Sequence, residues 1–222
     1  MDNQFEMDLD QLRQKLLTMA GLAETAVNQS LQALIQRDYD LALRVKQEDN
    51  AIDDFEVEID ELVIELLTKA PLASNLRLVT VAMKVSQNLE RIGDEAAKIA
   101  NRARDLAQEP HVKITIDLPR LARMALDMLK QALDAFVNRD SVAARAVIPR
   151  DKEVDALNKQ IHEVLVQHMM AHSKSIGRCL NWMVAAKSLE RIADHAKNIA
   201  EEVVYLYEAQ DIRHAGKTVA AP

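Results

Sequence analysis

Apolar residues recur along this chain in alternating steps of four and three. Leu78, Ala82, Val85, Leu89, Ile92, Ala96, Ile99, Ala103 and Leu106 form one such series, and Trp182, Ala185, Leu189, Ile192, Ala196, Ile199, Val203 and Leu206 form another. Ile52, Phe55, Ile59, Leu62 and Leu66 form a shorter third. This spacing lays one stripe along a helix, a coiled-coil-like seam. It predicts six helices, over roughly 7–36, 39–69, 75–108, 119–138, 141–171 and 178–209. Val112-Lys113-Ile114-Thr115-Ile116 is the one strand-like run. Pro71 and Ala73-Ser74-Asn75 separate the second and third helices, and Gln108-Glu109-Pro110-His111 closes the third. Asp38 and Asp140 suit N-caps, Pro119 suits a first turn, and Pro149 should kink the fifth helix. A helix of about 31 residues is about 46 Å long, and three with short connections favour an up-down-up bundle. The expected fold is all-α, two tandem three-helix bundles, with repeats at 1–110 and 111–222.

The polar positions show that the second half repeats the first. Leu89-Glu90-Arg91-Ile92-Gly93-Asp94 returns 100 residues later as Leu189-Glu190-Arg191-Ile192-Ala193-Asp194. Further upstream the offset is 102: Asp49-x-x-x-Asp53 matches Asp151-x-x-x-Asp155, and Ile59 and Glu61 match Ile161 and Glu163. A two-residue difference in length belongs in a loop, near 70–78 and again near 172–178.

Composition supports helices: 4 Gly, 5 Pro and 3% aromatic residues among 222, with 49% hydrophobic content sufficient for a core. A net charge of −7 argues against nonspecific nucleic-acid binding, which needs a dominant basic field. The one cysteine, Cys179, cannot form an internal disulfide and suits a reducing compartment. The acidic start Met1-Asp2-Asn3-Gln4-Phe5-Glu6 does not read as a signal peptide, and no apolar run reaches the ~20 residues of a membrane span. The expectation is a cytoplasmic protein that meets membranes only indirectly.

The candidate chemistry lies in carboxylates off the apolar seams. Glu90 and Asp94 share a helix face, and Gly93 between them, costing roughly 1 kcal/mol in a helix, points to a close approach. Asp49, Asp53, Glu56 and Asp60 form one acidic stripe on the second helix. If the second and third helices are neighbours, these hard oxygen donors converge and suit Mg, Ca, Mn or Fe. The plainer reading is a solvated face, with Lys98, Lys187 and Lys197 as ordinary ion-pair partners of Asp94, Glu190 and Asp194. Retention of both acidic motifs in both copies brings the site level with that plainer reading. His168 and His172 read as a helix-end feature, His162 and His195 as surface residues, and Met169, Met170 and Trp182 as core. Cys179 has no evident base, and there is no Gly-rich phosphate loop, Ser-His-Asp set or Glu-x-x-His pair.

Glu90-Arg91-Ile92-Gly93-Asp94-Glu95-Ala96-Ala97-Lys98-Ile99 and Leu189-Glu190-Arg191-Ile192-Ala193-Asp194-His195-Ala196-Lys197-Asn198-Ile199 resemble the PhoU family of phosphate-transport accessory proteins. Met19-Ala20-Gly21-Leu22, Ser74-Asn75-Leu76-Arg77-Leu78-Val79 and the tail Gln210-Asp211-Ile212-Arg213-His214-Ala215-Gly216 extend the resemblance to nearly the whole chain. The resemblance implies two bundles related by a pseudo-twofold. It implies a non-enzymatic negative regulator of phosphate uptake and starvation signalling, an adaptor between the phosphate ABC transporter ATPase subunit and a PhoR-type sensor histidine kinase. It also implies bound metal ions (Fe, Mn, Mg or Zn) at Asp49, Asp53, Glu90 and Asp94, and at Asp151, Asp155, Glu190 and Asp194. Ala193 departs from the family's usual repeated Gly. A homodimer is compatible with such bundles. The competing expectations are a metal-carboxylate phosphohydrolase and a purely structural scaffold.

Overall fold

The computed structural model describes residues 2–69, 73–112 and 114–213. It contains α1 (Asp2–Gln36), α2 (Tyr39–Glu48), α3 (Asn50–Lys69), α4 (Ala73–Ala107), α5 (Leu118–Asn138), α6 (Ser141–Val147), α7 (Asp151–Ala171) and α8 (Ile176–Glu208). Two 3-10 turns, Ile148–Arg150 and Ser173–Ser175, precede α7 and α8. Among the described residues there is no strand, so the architecture is all-α. The strand-like run is non-helical coil at 112 and 114–116, and Lys113 lies outside the described residues.

In each repeat the seams of the helices face one another. α1, α3 and α4 pack together in the first, and α5, α7 and α8 in the second, with α2 and α6 completing each bundle. Leu89, Ile92, Ala96 and Ile99 are fully buried, as are their counterparts Leu189, Ile192, Ala196 and Ile199. Each large aliphatic side chain so buried contributes about 1.5–3 kcal/mol. The buried residues of both repeats form one continuous core, because α4 and α8 also pack on each other. They run antiparallel: Lys84 Nζ lies 3.1 Å from Glu202 Oε2, and Arg102 Nη1 donates to Asn181 Oδ1 at 3.0 Å.

The ends of the helices follow local chemistry. The Asp38 carboxylate accepts from the Leu41 N–H and the Asp140 carboxylate from the Ala143 N–H, each at 2.9 Å. Both are the N-caps expected from sequence. Pro119 sits in the first turn of α5. Arg37 and Arg139 end α1 and α5 in the left-handed region, with φ of 57° and 58°. The first also donates from Nη2 to the Leu106 and Glu109 carbonyls, tying the end of α1 to the end of α4.

Three expectations need correction. The second helix is broken at Asp49, where Ile52 N donates back three residues at 2.9 Å in place of a full α-turn. The fifth helix breaks at the matching place, where Pro149 sits in a 3-10 turn. Proline therefore accounts for one break and not for the other, and the tightened turn at Asp49 has no sequence marker. α4 begins at Ala73, so Ala73-Ser74-Asn75 starts that helix; Pro71 lies outside the described residues. Met170 is 84% exposed because it points away from the α7 seam, whereas Met169 and Trp182 pack against the core.

Candidate metal sites

In the first repeat, Asp49 at the break before α3, Asp53 and Glu56 on α3, and Glu90 and Asp94 on α4 are linked by a chain of electrostatic contacts. Gly93 permits this. A Cβ there would stand 2.8 Å from Ile52 Cδ1 and 3.2 Å from Asp49 Oδ1, so the bare backbone of α4 lets the start of α3 approach. Burial, then Asp53 and Asp94, push the Asp49 carboxyl up to about 6 against the pull of Lys98. Burial also raises Asp53, helped by Asp94 and Asp54. Glu90 is raised by burial and then by Asp94 and Glu56, and Glu56 by burial and then by Asp60 and Asp53. These shifts share one direction because burial first, and neighbouring carboxylates second, disfavour the charged form, and Lys98 and Arg91 offset them only in part. Lys98 Nζ is 3.8 Å from Asp94 but 3.0 Å from Glu95, and Arg91 Nε is 3.3 Å from Glu90.

In the second repeat, α7 supplies Asp151 and Asp155 and α8 supplies Glu190 and Asp194. Here Lys197 enters the group: its Nζ donates to Asp151 Oδ2 at 2.9 Å and to Asp194 Oδ1 at 3.4 Å, bridging the two helices. Burial works to lower the Lys197 pKa, and the contacts with Asp151 and Asp194 more than reverse it. Lys187 forms an ion pair with Glu190. Asp155 is raised by burial, then by Asp151 and Glu190. The fully buried Ala193 stands in place of Gly93, and Val154, smaller by one methylene, stands in place of Ile52. The added methyl thus coincides with a shorter side chain at the position equivalent to Ile52.

Electrostatic contact links Asp49, Asp53, Glu90 and Asp94 in the first repeat, and Asp151, Asp155 and Glu190 in the second, where Asp194 joins through Lys197. Among the described residues no three His, Cys, Asp or Glu side chains are already disposed as a ligand set. The first group nevertheless fits a hard cation in kind: its donors are carboxylate oxygens, and Gly93 lets Asp49 Oδ1 lie against α4. The second group as it stands does not fit, because an ammonium already lies between Asp151 and Asp194.

Between the two groups, α4 and α8 form a polar junction that periodicity does not reveal. Glu95, 4% exposed, accepts from Arg191 Nη1 at 3.1 Å and from Lys98 Nζ at 3.0 Å. Burial would raise its pKa, but the bonds from Ser188, Lys98 and Arg191 outweigh that and hold the carboxyl below its usual range. At the equivalent place, His195 Nδ1 lies 3.0 Å from Asn88 Oδ1, and burial holds the imidazole low. Glu95 facing Ser188 and His195 facing Asn88 are exchanged by the 100-residue offset, a side-chain expression of a pseudo-twofold. His195 is therefore an interface residue and not a surface one. His162, half-buried, lies 3.3 Å from the Met183 carbonyl and is likewise not a free surface residue. His168 and His172 do end α7, with rings stacked 4.4 Å apart. Cys179 is buried, 3.8 Å from Ser175 Oγ.

The doubled architecture recurs in known proteins. The PhoU domain family model matches residues 16–103 and again 118–203, once per repeat. A phosphate-specific transport system accessory protein PhoU homolog of Pseudomonas aeruginosa is 42% identical over 217 residues, spanning 97% of this chain and 90% of its own length. The accessory protein PhoU of Escherichia coli K12 is 37% identical over 214 residues, 96% of this chain and 89% of its own. The crystal structure of PhoU from Pseudomonas aeruginosa superposes with a TM-score of 0.90 at 40% identity, over 93% of this chain and all of that one. The phosphate transport system regulatory protein PhoU of Streptococcus pneumoniae gives 0.85 at 27% identity, over 94% and 99%. With one family match in each repeat and full-length relatives at this identity, the chain belongs to the PhoU family.

Proposed function

We propose that this chain is an accessory protein of a phosphate-specific transport system and a negative regulator of phosphate uptake and phosphate-starvation signalling. It would act as a cytoplasmic adaptor between the ATPase subunit of the phosphate ABC transporter and a PhoR-type sensor histidine kinase. The observation that carries this reading is similarity over nearly the whole length to proteins named for that system. A rigid two-repeat body can regulate without chemistry of its own by binding one signalling state of a partner better than another. Moving such a partner from 1:99 to 99:1 takes about 5.5 kcal/mol of differential affinity, within reach of a modest interface.

The same proposal assigns a metal to the first-repeat group, held by Asp49, Asp53, Glu90 and Asp94. A hard cation there would supply positive charge that relieves the carboxylate repulsion between α3 and α4. The chain's part is to hold those oxygens on two helices that Gly93 lets approach. Reconstitution with transporter and kinase tests the regulatory reading: the chain should suppress kinase autophosphorylation at high phosphate and not at low. Unchanged autophosphorylation in both conditions would refute the adaptor role. The rival phosphohydrolase reading predicts phosphate release with Mn that disappears in Glu90→Gln or Glu190→Gln.

A further inference from the structure

We infer that the two acidic groups are not equivalent: Lys197 is a resident cation that closes the second-repeat group, so metal taken up by the chain goes to the first. The inference rests on the metal reading above and adds which group is open and what closes the other.

A residue-by-residue comparison of the repeats carries it. Lys197 occupies the position of Ala97, and its ammonium bonds carboxylates on both α7 and α8, at 2.9 Å and 3.4 Å. It thereby links the two helices through their acids, the link a bridging metal would make. Lys187 occupies the position of Gln87 and pairs with Glu190. On the facing helix Asn158 replaces Glu56 and His162 replaces Asp60. All four differences shift the second group toward positive charge. Two differences run the other way: Lys98 is replaced by Asn198, although Lys98 itself sits nearer Glu95 than Asp94, and Asn101 is replaced by Glu201, which lies within electrostatic reach of Lys197 and Asp194. Arg91 stays beside Glu90, whereas Arg191 turns across the junction to Glu95.

A metal entering the second group must break two ion pairs and then share the space with the displaced ammonium. At the dielectric of a protein surface that repulsion alone lowers affinity by about 100-fold or more. In the first group Lys98 pulls on Asp49 and lies 3.8 Å from Asp94, but its hydrogen bond goes to Glu95, so it does not tie the two helices together as Lys197 does.

The test is calorimetric titration of chelator-treated full-length protein with Mn, using wild type, Asp94→Asn, Asp194→Asn, Lys197→Ala and Ala97→Lys. Wild-type binding should be lost in Asp94→Asn and in Ala97→Lys and unchanged in Asp194→Asn. Lys197→Ala should gain a second set of sites, which Asp194→Asn removes again in the double variant. Melting in chelator gives a readout free of metal: Lys197→Ala should lower Tm and Ala97→Lys should raise it. Equal binding to both groups in wild type, or Ala97→Lys binding like wild type, would overturn the inference while leaving the metal reading standing. No Mn binding by wild type would overturn the metal reading and this inference together.

Discussion

The acidic groups of the two repeats rest on nearly identical cores and differ in what lies among the carboxylates. Below them, Leu89, Ile92, Ala96 and Ile99 repeat as Leu189, Ile192, Ala196 and Ile199, all buried in equivalent places. Above them, the first group keeps mutually repelling acids, with Asp49 pushed up to about 6, while the second places Lys197 between Asp151 and Asp194. A seam residue has few acceptable replacements, because close-packed interiors register a single methylene. A half-exposed polar position is free to exchange Ala for Lys. The duplication thus preserved the scaffold and let the two sites diverge in charge.

The sharpest check is on the shared part. Leu89→Ala and Leu189→Ala should each cost about 3 kcal/mol, or about 6–12 °C in Tm for a chain of this size, and should do so about equally. A large inequality, read by thermal melting, would show that the cores are not equivalent. Next comes the charge difference. Lys197→Ala leaves the buried Asp151 without its partner and should cost about 2 kcal/mol, measured by urea unfolding in chelator. Ala97→Lys should stabilise by up to about 1 kcal/mol.

Smaller again is the packing difference. Gly93→Ala gains about 1 kcal/mol of helix propensity and loses about 1–3 kcal/mol by crowding Ile52, whose Cδ1 lies 2.8 Å from the new methyl. Adding Ile52→Val recreates the Ala193–Val154 pair, so the double variant should melt above Gly93→Ala. If it melts below, the two pairs are not equivalent solutions.

The pH dependence gives the finest comparison. Asp49 holds its proton more tightly in the folded chain, with its pKa raised from 3.8 to about 6. The unfolded state therefore binds fewer protons between those values, and this group's contribution to stability falls as pH rises through that window. Above it the charge destabilises the fold. Asp49→Asn should raise stability at pH 7 by about 1 kcal/mol after discounting for solvent screening, and the gain should vanish below pH ~4. A gain that persists unchanged in acid would assign the effect to packing.

Much of this was legible in the residues themselves. The four-three steps locate the helices, the two offsets locate the repeats, and Gly93 within a helical run announces a close approach that the Ile52 and Asp49 contacts bear out. Capping by Asp38 and Asp140 was equally readable, because a side-chain cap is a local event. What escaped was tertiary. The antiparallel pairing of α4 and α8 buries Glu95 and engages His195, and neither residue carries a pattern of its own. Lys197 was visible as a partner of Asp194 three residues away, but its stronger contact is with Asp151 on another helix. The Ala97–Lys197 difference between aligned repeats was the available signal. The break at Asp49 has no such signal, since its counterpart carries proline and it does not.

The central claim is that the repeats share a scaffold and differ in their openness to a cation. Crystals of the full chain soaked in Mn, with data collected at an energy where Mn scatters anomalously, test it directly. The account predicts anomalous density among Asp49, Asp53, Glu90 and Asp94, with Lys197 still bonded to Asp151 and no density beside it. Equal density among Asp151, Asp155, Glu190 and Asp194, with the Lys197 side chain swung out, would contradict it.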